Sequence, residues 1–527
     1  MSTQHQIDHL LDNSPGDLQL LTLDQMYNHP DPVEALQKVT SVMATASRSD
    51  AEATDEVLAF LCLRCMNLGL GNIPGLGYLS QKNAELRGIP KITMGQVPEV
   101  LWYACQNWIG HVLDVTRPLP VALLEELQDF LANSFTPWIE LISACARYEG
   151  LSSFLEWVET LGVESSINLQ IINLQFSRKL QKLADRFELM DRRMEALLVA
   201  YDRVEVLEQL CEDSPSVLNS AELARSHYLR SKLLVDFKCY EESVTESTKA
   251  IDIQRELHKV DPNYFRADLA GSLSTRSNAL TYLGRHAESL EVIEEAIEIY
   301  RRLAADNPFK FNPDLAESIQ HMSNGLSSLK RHEESLTAVR EALEIRRQLA
   351  SNYPATYDPE VAQSLHSLGV CLNSVKRNEE ALVAKYQSVE IFRRLVSDRP
   401  EVFTSDLAEH LVSLSNLFSE MELNEEALTS CAEAVGIYRR LGVACPAVWL
   451  EELGGSLSKL ALKYSACNRY KEALNAAEES REIYQSLTTS PRSPTQEILQ
   501  RCRDAASLAE IMRSAEAREA TAASLRQ

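Results

Sequence analysis

Two cysteines separated by two residues, Cys62 and Cys65 in CLRC, are the first side chains whose spacing suggests chemistry. A CxxC pair binds zinc when a second pair or two histidines complete a tetrahedral ligand set. Neither accompanies it, and the other nine of the eleven cysteines are scattered singly. The pair is interpreted as two small apolar residues on a buried helix, so no metal and no cofactor are expected.

A glycine-rich segment, LGLGNIPGLGYLSQK over Leu68–Lys82, raises the question of a phosphate-binding loop. Backbone amides in glycine turns bind anions, but a P-loop needs a preceding strand and a Gly-Lys-Ser/Thr end, and both are missing. The segment is interpreted as a loop between helices. No serine, cysteine or histidine motif of a known catalytic type occurs, which predicts that the protein is not an enzyme. A nucleotide-regulated switch or an enzyme activity in the N-terminal helical domain is the alternative.

The composition favours helices and excludes several classes of partner. Glycine and proline number only 18 and 19 in 527 residues, while leucine, alanine, glutamate and serine dominate. The net charge of −24 opposes binding to nucleic acid and to anionic membrane surfaces. No apolar run is long enough to cross a membrane, and the N-terminus is unlike a signal peptide. A cytoplasmic protein is expected, with no nucleic-acid partner and no membrane insertion.

The chain repeats itself every 46 residues. Leucine recurs at this interval at Leu257, Leu303, Leu349, Leu395, Leu441 and Leu487, and glutamate recurs at Glu242, Glu288, Glu334, Glu380, Glu426 and Glu472. Prolines follow the same interval at Pro262, Pro308, Pro354, Pro400 and Pro446. Six units without an insertion or deletion indicate a repeat architecture.

Each unit is predicted to contain two helices, which we call the first and the second helix. The first is predicted to begin near an acid–apolar–small motif, capped by Ser220, Asn312, Asp358 or Thr404 in four units, with Pro313 and Pro359 at the first helical position. The second helix ends at the recurring proline. An arginine column near its end, Arg301, Arg347, Arg393 and Arg439, matches the helix dipole, as does the glutamate column near its start. A stripe of ligand-binding arginines is the alternative. Glu298–Arg302 and Glu390–Arg394 are predicted to pair at i,i+4.

The spacing within a unit resembles that of tetratricopeptide repeats. Leu365, the Leu368–Gly369 pair, Leu372, Ala381 and Ser388 stand where that family has its apolar and small residues. The units are lengthened from 34 to 46 residues, which is similar to the repeats of kinesin light chains. The resemblance covers Ser220 to about Leu487. It implies an all-α fold in which the units form a right-handed superhelix (an α-solenoid).

These observations predict five segments. Residues 1–163 are expected to form an irregular α-helical domain, 164–219 connecting helices or degenerate repeats, and 220–487 six helix pairs. A linker over 488–494 and a capping helix over 495–527 follow, since the last apolar face of a solenoid needs a cover. Ser490 and Ser493 in the linker each precede proline, and their phosphorylation is left open.

A second resemblance concerns the helical segment that follows the NACHT module in fungal NLR-like proteins. It is carried by nine residues of two predicted helices: Tyr103, Ala104, Cys105, Trp108, His111, Phe130, Leu131, Trp138 and Glu140. Tetratricopeptide arrays often follow that segment in the family. The phosphate-loop motif of the family's NTPase is absent from this sequence, so the resemblance does not carry the switch function over.

The resemblance to tetratricopeptide repeats also implies a binding groove lined by the first helices. One groove column contains Lys232, Asn278, Asn324, Val370, Asn416 and Leu462. Carboxamides donate to and accept from a peptide backbone at the same time, so an asparagine column suits an extended peptide. Gln320, His366 and Asn373 are predicted to lie around it.

The sequence therefore predicts a non-catalytic scaffold that binds a protein or peptide in this groove, in NLR-like signalling or in innate-immunity and self-recognition pathways. A cargo adaptor of the kinesin-light-chain type is a further alternative. That adaptor needs a heptad coiled coil, and residues 164–210 are too irregular to provide one.

Overall fold

The computed structural model describes residues 31–43, 51–80, 88–115, 117–157, 174–488 and 496–526. It divides the chain into two compact units, residues 1–279 and 280–527. The fold is all-α, with helices packed in consecutive pairs as in a tetratricopeptide solenoid. Ser490, Ser493 and most of the expected linker lie outside the described residues.

The helices of the first unit are α1 (Pro32–Met43), α2 (Ala51–Gly69), α3 (Glu99–Asp114), α4 (Val121–Asp129), α5 (Phe135–Cys145), α6 (Leu174–Leu189), α7 (Arg193–Asp213), α8 (Val217–Asp236), α9 (Tyr240–Val260) and α10 (Pro262–Tyr282), whose last turn crosses into the second unit. A short helix also spans 152–157. The second unit contains α11 (His286–Asp306), α12 (Pro308–Ser328), α13 (His332–Asn352), α14 (Pro354–Ser374), α15 (Asn378–Asp398), α16 (Pro400–Glu420), α17 (Asn424–Ala444), α18 (Pro446–Ala466), α19 (Tyr470–Thr488) and α20 (Gln496–Arg526).

Aromatic packing holds the helices of the first unit together. Trp108 is fully buried, and its ring meets Phe130, Trp138 and Phe154 edge-on at centroid distances of 4.7, 5.3 and 5.1 Å. Edge-to-face pairs add to the burial of the rings because the positive edge of one ring meets the negative face of the other. Trp108, Phe130 and Trp138 of the NACHT-type resemblance are thus core residues, and the partly buried Tyr103 packs against this core.

The first helices begin earlier than the sequence interpretation placed them, which corrects that interpretation. They begin at the recurring prolines, so Pro313 and Pro359 lie inside α12 and α14. In α12 the cap is Asn307, whose side chain accepts a hydrogen bond from Lys310 N. Proline at the first position loses no intrahelical hydrogen bond, so the recurring column was the stronger start signal.

Three-residue turns join each first helix to its second. Their middle residue has a left-handed backbone, with φ of 76° at Gly284, 60° at Lys330 and 64° at Lys376. The following amide closes the turn, as when Arg331 N donates to Leu326 O at 2.9 Å. This ends the helix with a left-handed residue although only one of these turns uses glycine.

The glutamate and arginine columns have partners that helix dipoles alone did not predict. In four of the six repeats the glutamate at the start of the second helix pairs with an arginine three residues earlier, as in Arg331–Glu334. Arginines near their ends pair with a glutamate 40 residues later, on the next second helix. These pairs are Arg301–Glu341, Arg393–Glu433 and Arg439–Glu479, and we call them the arginine ladder.

One of the two predicted i,i+4 pairs is present. Arg302 bonds Glu298, as predicted. Glu390 instead pairs with Arg393 at 3.2 Å, one residue short of the predicted Arg394. The i,i+3 position is equally close on a helix surface, and Arg393 lies there.

Small residues allow the two helices of each unit to approach. One of them, Gly369 of α14, faces Lys385 of α15: a Cβ at Gly369 would lie 2.6 Å from Lys385 Cγ and 3.2 Å from Ala381 O. In the other units the column of Gly369 holds serine or alanine, and that of Lys385 holds Ser247, Ile293, Val339, Cys431 and Ala477. The lysine and the glycine therefore depart from the repeat together.

We predict that Gly369→Ala lowers the free energy of unfolding by about 1–3 kcal/mol, because the methyl group overlaps Lys385 and a carbonyl oxygen. In a Lys385→Ala background the same change should cost clearly less, since the Cγ that the new methyl group meets is removed. Gly436→Ala in α17 is the control, because a Cβ there meets nothing within 4 Å. Urea unfolding of the four variants measures the coupling, and equal costs in both backgrounds would contradict it.

Candidate functional site

The glycine-rich segment of the first unit binds an anion of its own chain. Gly77 N and Leu79 N both donate to the Glu140 carboxylate, the latter at 2.6 Å, and Glu140 is fully buried. Burial raises the pKa of Glu140, and the two backbone donors oppose that shift. The amides that the P-loop alternative would need are therefore already bonded to a carboxylate.

Other polar groups of the first unit also have structural partners. Asp202 is buried, accepts from Tyr148 Oη at 2.5 Å and from Leu151 N at 2.8 Å, and burial raises its pKa to about 7. Cys62 and Cys65 are buried in α2, and burial raises the pKa of the Cys65 thiol to about 12. Such a thiol stays protonated and is a poor nucleophile and metal ligand.

Two of the predicted groove residues, Asn278 and Lys232, belong to the first unit. Asn278 lies half-buried on α10, and Lys232 lies exposed on α8. The other five belong to the second unit: Gln320 and Asn324 on α12, His366 and Asn373 on α14, and Asn416 on α16.

The predicted residues of α12 interact with each other. Gln320 is only 8% exposed, and its Nε2 donates to Asn324 Oδ1 at 3.2 Å. Its Oε1 is buried and has no hydrogen-bond partner among the described residues. Asn324 itself is exposed, one turn further along the helix.

Asn373 connects α14 to α16. Its Nδ2 donates to Glu420 Oε2 at 2.9 Å, while its Oδ1 is buried and without a partner in the described part of the chain. Val370, which interrupts the asparagine column, is 40% exposed. It shares a helix face with His366 and Asn373, because residues three and four apart are neighbours on a helix.

The half-buried His366 belongs to a basic cluster that the sequence interpretation did not identify. The cluster consists of His366, Lys385 and His410, and the two imidazole rings lie 4.4 Å apart. Burial lowers the pKa of Lys385 to about 8, and Glu420 opposes this shift. Lys385 Nζ donates to Ser413 Oγ. A lysine in a column of apolar and small residues was the available signal.

Both ring nitrogens of His410 face polar side chains. Ser388 Oγ donates to Ala362 O at 2.7 Å and lies 2.7 Å from His410 Nδ1. On the other side of the ring, His410 Nε2 lies 3.1 Å from Gln363 Oε1. Burial and Lys385 lower the pKa of His410 to about 4. Burial, His410 and Lys385 lower the pKa of His366 to about 3.

The described residues contain no group of three or more His, Cys, Asp or Glu side chains arranged to hold a metal ion. No described helix is long and apolar enough to cross a membrane. The arrangement on α12, α14 and α16 offers carboxamides, neutral imidazoles and an apolar side chain, a set that suits hydrogen bonding to a neutral polar chain.

Comparisons with known proteins agree with the repeat. Residues 269–308 match the tetratricopeptide repeat family. No curated protein matches the chain. Among solved structures, BtubC (BKLC) from P. vanneervenii is 16% identical at a TM-score of 0.40, covering 49% of this chain and 95% of its own.

Two further structures are similarly distant. The TPR-like repeats of a kinesin-light-chain-like protein from Podosopora anserina are 17% identical at a TM-score of 0.34, covering 43% of this chain and 99% of their own. A signal-transduction ATPase with numerous domains (STAND), with a tetratricopeptide repeat sensor, from Pyrococcus horikoshii is 13% identical at 0.41, covering 89% and 73%. Likenesses this distant carry no argument about a ligand.

The histidine pair predicts how stability depends on pH. Both folded pKa values lie below the ordinary 6.5, so unfolding takes up protons between about pH 4 and 6.5. The free energy of unfolding should be complete above pH 6.5 and fall by about 2 kcal/mol for each histidine between pH 7 and 5. Lys385 adds nothing in this range, because its window lies between about 8 and 10.5.

The His410→Ser variant should show a smaller loss, since serine occupies this column in the other units. Urea unfolding at pH 5, 6 and 7 measures the loss, with His286→Ser as the control outside the cluster. A wild-type pH slope in His410→Ser would contradict a neutral buried pair.

Proposed function

We propose that this chain is a non-catalytic scaffold and that α12, α14 and α16 bind an extended segment of a partner protein. The residues proposed to contact it are Gln320, Asn324, His366, Asn373 and Asn416. A tetratricopeptide fold supports the proposal, because such arrays expose long surfaces on which extended ligands lie.

The observation that carries the proposal is the pair of unpartnered carboxamide oxygens, Gln320 Oε1 and Asn373 Oδ1. A buried acceptor without a hydrogen bond costs about 1–3 kcal/mol. Terminal amide torsions are broad, so a small rotation presents either oxygen to an incoming donor. A peptide backbone supplies one N–H donor per residue and so recovers this cost.

Exposed apolar side chains add a second contribution to binding. Val370 on α14 is 40% exposed, and Leu462, in the same column on α18, is 51% exposed. An extended peptide places alternate side chains on one side, so apolar side chains of the partner would cover these two residues while its backbone meets the carboxamides.

The remaining predicted contacts and the pathway are separate parts of the proposal. Asn278 and Lys232 lie in the first unit and are proposed as contacts of that unit alone. We place the scaffold in the cytoplasm and in NLR-like signalling, and the resemblance of the helices that contain Tyr103 and Glu140 supports this.

The test is an affinity pull-down from the native cell with the wild type and with Asn324→Ala/Asn373→Ala/Asn416→Ala. We expect the variant to retain its helical circular dichroism and to recover roughly tenfold less of the main partner, equivalent to about 1.4 kcal/mol. Asn475→Ala, an exposed asparagine on the second helix α19, is the matched control.

Asn278→Ala is assayed separately and tests the first unit. Full recovery of the same partner by the folded triple variant would refute binding on α12, α14 and α16. It would direct attention to the helices between residues 99 and 145.

A further inference from the structure

A cleft of ≈ 570 Å³ opens between the second helices α13 and α15, away from the proposed groove. Val361 and Leu365 of α14 line it from below. They lie on a different face of α14 from Val370 and Asn373. Val383 and Tyr386 of α15 form its wall. Its volume falls within the range of small-ligand and side-chain pockets.

The arginine ladder is interrupted at this cleft. The ladder pairs each arginine with a glutamate 40 residues later, but Arg347 faces Gln387 in that register. Arg347 consequently has no ion pair or hydrogen bond with another described residue. Arg394, which also lines the cleft, is equally unpaired among the described residues, because Glu390 pairs with Arg393. Two unpaired cations therefore lie at one apolar cleft, whose lining also contains Glu390, the partner of Arg393.

The two residues of the cleft wall, Val383 and Tyr386, also differ from their counterparts in the other repeats. Val383 is 58% exposed and Tyr386 is 50% exposed. The Val383 column elsewhere contains Thr245, Glu291, Thr337, Thr429 and Asn475, and the Tyr386 column contains Thr248, Glu294, Arg340, Ala432 and Glu478. Polar residues predominate at both positions, as expected of a solvated helix face. Three neighbouring columns, at 383, 386 and 387, thus change together in one unit.

We propose that this cleft binds a peptide segment of another protein in which an aliphatic or aromatic side chain is flanked by aspartate or glutamate. The apolar side chain enters between Val383, Tyr386 and the floor, and the carboxylates pair with Arg347 and Arg394. Guanidinium groups suit this role because they bind carboxylates through two parallel hydrogen bonds. The net charge of −24 disfavours an anionic membrane as the binding partner, and so does the confinement of the cleft to one repeat.

The probe is a phage-displayed library of random twelve-residue peptides, selected on the full-length protein and counter-selected on its Gln387→Glu variant. That variant restores the ladder residue of three other units, so it should fold and pair Arg347. We expect enriched peptides with acidic residues beside an apolar one. Calorimetric titration of the synthetic peptides should show at least ~10-fold weaker binding to Gln387→Glu and to Arg394→Ala.

Two further variants separate charge from shape. Val383→Thr, the residue of three other units, should weaken binding through the apolar wall. Glu341→Gln removes the ladder partner of Arg301 in the preceding repeat, where Thr337 and Arg340 stand in place of Val383 and Tyr386. This variant should leave peptide affinity unchanged.

Three results would overturn the proposal. The first is that no peptide is enriched on the wild type relative to the Gln387→Glu variant. The second is that the selected peptides bind the wild type, Gln387→Glu and Val383→Thr with equal affinity. The third is binding to phosphatidylserine–phosphatidylcholine vesicles by the wild type but not by Gln387→Glu, which would replace the peptide with a membrane. The groove variant retains this cleft, so failure here and failure of the proposed function are distinguishable.

Discussion

The close approach of the two helices within each 46-residue repeat is the constraint on which the structure of residues 280–527 depends. Serine and alanine at the crossing points allow it, and the serines bond directly across the gap. Ser323 Oγ lies 2.9 Å from Ser335 Oγ, Ser415 Oγ donates to Ala427 O at 2.7 Å, and Ser480 Oγ donates to Gly454 O at 2.8 Å. A hydroxyl here packs as a small residue and satisfies its own polar group, so helix spacing is kept without a buried unpaired donor.

Because the helix spacing is fixed, the 46-residue repeats can be compared position by position. Positions at which one repeat has a different type of residue are therefore informative. They concentrate between α14 and α16. Gly369 and Lys385 depart from their columns as a fitting pair, and His410 stands in a column that otherwise contains serine. Val383 and Gln387 depart on the second-helix face. The repeat of α14 and α15 and His410 of the next repeat therefore differ from the other repeats, both at the helix crossing and on the second-helix face where we propose that a peptide binds.

The repeat and its helices could be predicted from sequence because the period appears in several residue types at once. The helix starts were predicted wrongly because asparagine, aspartate and serine near the acidic motif are also good N-cap residues. The recurring proline could end one helix or begin the next, and the sequence alone does not distinguish the two. The partners of the arginine column lie 40 residues away, on another helix, and a local dipole argument does not reach them. The roles of Asn278, Asn324 and Asn416 stay predictions.

Buried polar groups were the least predictable part. Glu140 carries no local mark of its role, because the amides it accepts from, Gly77 and Leu79, lie more than sixty residues earlier. The lowered pKa of His410 depends on burial and on Lys385, which lies on another helix. Such networks follow from tertiary packing. A single sequence shows only that one repeat has a different residue type at a given position from the other repeats.

Hydrogen–deuterium exchange of the full-length protein, alone and bound to the partner recovered by the wild type, tests the central claim most directly. Partner binding by the second unit predicts slower exchange within residues 308–420, on α12, α14 and α16, and unchanged exchange within residues 99–145. Protection confined to residues 99–145, with none between 308 and 420, would contradict it.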